Sequence, residues 1–175
     1  MSTRTLLSAP AVVSASLLLG GLTSWAQGAL PAELSSFANS ASGWTVLTVL
    51  LVAAFRPSVA WGAFLGAASF VSLVLGYTIA SELRGLSYDP MFWAVVGLLA
   101  GPLVGASATA LVGRHAGAAA AGALVLGAVL VADGLHGLTV VGDTTSPVYW
   151  TLCLVAAAVL LTVAGGRLLR GTLVR

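Results

Sequence analysis

The chain has 175 residues, of which 59 % are apolar and only 7 % charged, with a formal net charge of +2 at pH 7. A soluble domain carries roughly 25 % charged residues to hydrate its surface, so a chain with a mean hydropathy of +1.06 uses the bilayer as its solvent. The lone Cys153 excludes an intrachain disulfide or a two-cysteine redox centre. The seven arginines are scattered, without the clustering beside aromatics that a nucleic-acid face needs, so no nucleic-acid partner is expected.

The first apolar run, roughly Leu6 to Gln27, has spanning length, since about 20 residues cross a bilayer as a helix. Arg4, this run and "AQG" before Ala29 resemble a secretory signal with its cleavage site. The apolar stretch is longer than the roughly 7–15 residues of such a signal, which favours a retained first helix.

The next segment, "TSWAQGALPAELSSFANSASGW" from Thr23 to Trp44, is the most polar in the chain. It leads into the apolar run Ser42 to Phe55, which at about 1.5 Å per residue is too short to cross alone. The second helix is therefore expected to begin at Leu34 or Ser35, which places Asn39 on a helix at the membrane interface.

The third run starts at Pro57, the fourth at Pro90, the fifth at His115 and the sixth at Pro147. Proline is tolerated at a helix start, where its missing N–H has no partner in any case. "DP" and "TTSP" supply capping oxygens just before two of those starts. Lipid leaves no partner for open backbone groups, so every run must be helical. The expectation is one all-α transmembrane domain over 1–175, with helices near 6–27, 35–55, 57–82, 90–112, 115–133 and 147–168.

Six of the arginines (Arg4, Arg56, Arg114, Arg167, Arg170 and Arg175) fall on one side of this arrangement, and Arg84 on the other. By the positive-inside rule, both termini are cytoplasmic and the protein sits in the plasma membrane. The acids Glu33, Glu82, Asp89, Asp133 and Asp143 all fall on the outer side.

Small-residue spacings mark helix-packing faces: Gly62 and Gly66 in "GAFLG", then Gly97, Gly101 and Gly105 in "GLLAGPLVG". Gly113 and Gly117 share the spacing. Such faces let backbones approach closely in lipid, either within the chain or against another subunit or second copy. Pro102 removes one backbone bond midway along the fourth helix, where a kink is expected.

"GASA" at Gly105–Ala108 resembles the serine motif of rhomboid-type intramembrane proteases, but a nucleophilic Ser107 needs a base within hydrogen-bond reach. His136 belongs to the opposite membrane face, and His115 beside Arg114 reads as an interface anchor. No catalytic residue is assigned.

Asp133 and His136 lie three apart, on one side of a helix that continues through them. At the end of the fifth helix Asp133 would oppose the dipole, and His136 or Arg84 would offset it. The ligand spacing is too loose for a metal, and the start "MSTRT" lacks the Met-His of nickel and cobalt uptake components, so no metal or cofactor is expected. Trp25, Trp44, Tyr77, Tyr88, Trp93, Tyr149 and Trp150 belong to the outer half, as an aromatic belt or as the lining of an outward pocket. Trp61 marks the inner side. No acid or Lys lies in the middle of a run, which argues against a proton-driven pump or channel.

"GLTSWAQGALP" followed by "SSFANSASGW" resembles the signature of an uncharacterised bacterial six-span membrane family, in which a Ser-Gln-Gly segment precedes "S-x-ANSA-x-x-W". The matching residues are Thr23, Ser24, Gln27, Gly28, Ser36, Ala38, Asn39, Ser40, Ala41 and Trp44. This likeness implies topology and no chemistry. In size, helix number and orientation the chain is also similar to the substrate-binding components of energy-coupling-factor vitamin transporters. That likeness implies an outward pocket capped by the first outer loop and a partner-docking face at Ala11 and Ala15 in "AVVSA".

Together these features point to a plasma-membrane protein that binds or transports a small molecule from the outer face. Trp25, Gln27, Asn39, Trp44, Trp93 and His136 are the expected ligand-binding residues, and the first outer loop the lid. The competing reading is a non-transporting scaffold whose Gly faces bind another helix bundle. An enzyme ranks below both. The expected partners are the lipid bilayer and, beyond it, other membrane subunits or a second copy.

Overall fold

The computed structural model describes residues 3–173, with side chains over 7–169. The side chains of Arg4, Arg170 and Arg175, and the first two residues of "MSTRT", lie outside the described residues. The described chain is all helical: α1 Thr3–Ala29, a 3-10 turn Ser35–Asn39, α2 Ala41–Phe55, α3 Val59–Leu83, α4 Met91–Leu111, α5 Ala116–Thr139 and α6 Pro147–Leu173. Five of these six helices are long and apolar enough to cross a membrane, and α2 is a shorter apolar helix. The protein is an all-α, multi-pass membrane protein.

The expectation of a helix starting at 35 is corrected. Residues 35–39 form a separate 3-10 turn, and Ser40 breaks the path in an extended conformation (φ −144°, ψ 157°). The physical reason is capping, because the Ser40 hydroxyl accepts the Gly43 N–H and so starts a new helix at Ala41. Glycine is required just there. A Cβ on Gly43 would stand 1.9 Å from the carbonyl oxygen of Phe37. The turn is tucked against the protein, with Ser36 and Ala38 buried.

The end expected for α5 near 133 is also corrected, since the helix runs on to Thr139. Asp133 is thus an interior helix residue and does not face the helix's own negative end. At the start of α3, Pro57 lies before the helix, and the Ser58 hydroxyl accepts the Trp61 N–H. Arg56 closes α2 in the left-handed region at φ 46°. Pro102 is accommodated inside a continuous α4.

Backbone approach organises the bundle. Gly62 and Gly66 of α3 meet Gly101 and Gly105 of α4 so closely that a Cβ on Gly105 would stand 2.0 Å from the Gly62 carbonyl oxygen. A second crossing brings Gly20 of α1 onto Leu73 and Gly76 of α3 onto Leu17. With no hydrophobic drive between helices in lipid, such contacts and interhelical hydrogen bonds hold the bundle. The hydroxyls of Ser16 and Ser69 lie 2.9 Å apart, and Ser69 donates to Thr48 at 3.3 Å, which ties α1, α3 and α2 together in a buried chain. At the arginine-rich end Trp61 donates to Ser8 at 2.9 Å. α6 packs chiefly on α5, where Gly137 lies flat against the Trp150 ring.

Candidate functional site

At the acid-rich end, a cavity of about 440 Å³ opens between the end of α1, the 3-10 turn, the last turns of α5 and the start of α6. Its floor is a hydrogen-bonded junction. The Ser42 amide donates to Asp133 Oδ2 at 2.8 Å, and the Ser42 hydroxyl donates to the same oxygen. A carboxylate at a helix N-terminus satisfies an otherwise orphan N–H and meets the favourable end of the dipole. Asp133 of α5 therefore caps α2.

Around it, the Tyr149 hydroxyl lies 2.7 Å from that of Ser42 and 3.0 Å from that of Ser40, with the Cys153 sulfur 3.4 Å from Ser42. Four side chains from α5, α6 and the α2 start thus fix where the turn sits.

The cavity wall collects groups that can contact a small molecule. Gln27 and Asn39 are both exposed at the cavity, on α1 and the 3-10 turn. Gln27 accepts a hydrogen bond from the Tyr77 hydroxyl through Oε1, which leaves its amide N–H groups as donors for another partner. Asp133 and the exposed His136 project from one side of α5, one turn apart. Trp93 and Trp150 supply aromatic surface, and Trp150 is fixed by donating to the Thr145 hydroxyl at 2.9 Å.

Four of the six residues expected at a binding site, Gln27, Asn39, Trp93 and His136, therefore line one cavity. The other two lie elsewhere. Trp25 is 61 % exposed and lies under the Arg84 guanidinium, 4.9 Å from its ring centroid. The same guanidinium donates to the Ser24 carbonyl and, at 3.1 Å, to the Ser24 hydroxyl, so Arg84 clamps α1 to α3. Trp44 is 1 % exposed and belongs to the core, with ring centroids 5.9 Å from Phe70, 5.6 Å from Tyr77 and 5.6 Å from Trp93. Its indole N–H donates to the Ala38 carbonyl, which anchors the turn from below.

Ser42, Asp133 and Tyr149 form a junction that sequence reasoning missed. The signal was Asp133 itself, since an acid at the end of an apolar run calls for a partner, and "SAS" at 40–42 offers hydroxyls and a free helix end. Near the cavity, the Tyr88 ring packs tilted against Tyr77 with centroids 4.8 Å apart and planes at 60°, and its hydroxyl is buried without a hydrogen-bond partner among the described residues. Burial first, then Tyr77 and Asp89, hold this phenol above its ordinary pKa, so it stays protonated. Among the described residues, no three His, Cys, Asp or Glu side chains come together to hold a metal ion.

A family of unknown function (DUF6518) matches residues 2–174. The chain belongs to that family. No curated protein and no solved structure matches the chain. Membership covers the turn, the Asp133 junction and the cavity wall alike, so the site lies within what the DUF6518 match describes.

Proposed function

We propose that this DUF6518 protein lies in the plasma membrane with both termini cytoplasmic and binds a small polar molecule in the outward-facing cavity. The observation that carries this reading is the convergence of Gln27, Asn39, Asp133 and His136 from three separate elements on one hollow. An amide pair, a carboxylate and an imidazole beside two indoles suit a ligand with hydrogen-bond donors and a flat or apolar part. The 3-10 turn is the lid, held by Ser40, Ser42 and Trp44 at its base. The arginine distribution supports the orientation. Transport, and docking of an energy-coupling partner at Ala11 and Ala15, rest on architectural likeness alone. The scaffold alternative is weakened, because Gly62, Gly66, Gly101 and Gly105 are already engaged between α3 and α4.

Native mass spectrometry of the purified protein, offered a metabolite pool, tests the binding reading. The expected result is a small molecule retained by the wild type and lost from Asn39→Ala and His136→Ala. A wild type that retains nothing and forms a stable homo-oligomer overturns it.

A further inference from the structure

A second feature lies on the lipid-facing side. Because α6 packs on α5 and touches the 3-10 turn only lightly, a groove remains between α2 and α6 with α5 behind it. Three hollows of about 370, 250 and 520 Å³ run along it. Each shares walls with the next: Val46, Leu130 and Ala156 join the first two, and Leu111 and Leu160 join the last two. They form one continuous groove, closed by Phe37 and Leu34 at the acid-rich end.

The walls are apolar along the upper and middle segments. At the arginine-rich end the groove finishes at Arg56 and Arg167. Both side chains are exposed, and every Asp and Glu in the sequence lies toward the other end of the bundle. This arginine pair therefore lacks an acidic side chain from the protein to balance it. The N-terminal turn of α5 borders the same hollow through Ala119, and His115 places no side-chain cap on it. Backbone N–H groups at such an end favour an anion.

We infer that the groove is a binding site for one anionic phospholipid, with its phosphate on Arg56 and Arg167 and one acyl chain lying between α2 and α6. Arginine matches phosphate in charge and in its forked donor geometry. The dimensions agree: the 15 residues of α2 rise about 22 Å, whereas a chain within one leaflet needs about half of the ~30 Å hydrocarbon core. The lower and middle segments suffice for it. A lipid against the convex outside of a helix gains neither the enclosing walls nor the paired cations. This site lies apart from the outer cavity and stands independently of the function proposed for it.

The test is native mass spectrometry of the full chain from bilayers with equal phosphatidylglycerol and phosphatidylcholine of identical acyl chains. The expected result is one retained phosphatidylglycerol per chain, preferred about tenfold or more. Arg56→Gln/Arg167→Gln abolishes the preference. Ala156→Trp, which fills the groove and leaves every arginine in place, removes the retained lipid. Its melting temperature reports that it is folded, so the test holds even if the arginine variant fails to insert. Equal retention of both lipids by the wild type, or phosphatidylglycerol retention unchanged in folded Ala156→Trp, overturns the assignment.

Discussion

Asp133 shows how one residue changes meaning between sequence and structure. Placed at a helix end it opposes the dipole and asks for a neutralising cation. Placed inside α5 it points its carboxylate at the start of another helix and becomes the cap of α2. Loss of a capping side chain costs roughly 1 kcal/mol, and the partly buried hydroxyl partners add to that. Asp133→Ala is therefore expected to lower the thermal midpoint in detergent, with Ser42→Ala lowering it less. Asp133→Asn keeps an acceptor oxygen and is expected to fall between Asp133→Ala and wild type. A melting series in one detergent checks this order. Trp44 teaches the reverse lesson. Its place near the end of a helix was legible, but rotation about the axis was not, and rotation decides that it packs on Phe70 and not in the cavity.

At the level of elements, composition and polar punctuation sufficed for six helices, because lipid forbids any other way to pair the backbone. The boundary of α2 was harder. The apolar run begins at Ser42 and the helix at Ala41, so hydropathy alone located it. The extension to 35 came from requiring each helix to cross unaided, a requirement that a partly buried 3-10 turn leading into a capped α2 removes. Glycine spacing indicated close approach on α3 and α4, but the α1–α3 crossing through Gly20 and Gly76 lies in different helices and has no local signature. The packing makes a contrast that can be measured. Gly105→Val sets side-chain atoms into the Gly62 backbone and must push α3 from α4, a change expected to cost about 1–3 kcal/mol or more. Gly117→Ala meets nothing within 4 Å and is expected to leave the midpoint unchanged or slightly raised. Thermal unfolding of the two variants side by side decides the matter.

For the molecule as a whole, the charges are polarised along the bundle, with the acids and Arg84 at the cavity end and Arg56, Arg114 and Arg167 at the opposite end. The site was partly legible because polar residues in a membrane chain are few, and Gln27, Asn39 and His136 stood out for that reason. Trp150, Thr145 and Ser36 were not, since they reach the cavity only when α5 and α6 close against the turn. A C-terminal fluorescent-protein fusion is expected to fluoresce, as it does on the cytoplasmic side, and an alkaline phosphatase fusion at the same place to be inactive. The central claim, an outward cavity that binds a small molecule, is tested most directly by labelling Thr144→Cys, an exposed position on the cavity wall that is given no part in binding, in intact cells with a membrane-impermeant maleimide. The account predicts labelling without permeabilisation, slowed by the molecule that the purified protein retains. Labelling that requires permeabilisation, or that proceeds at the same rate with that molecule present, would contradict it.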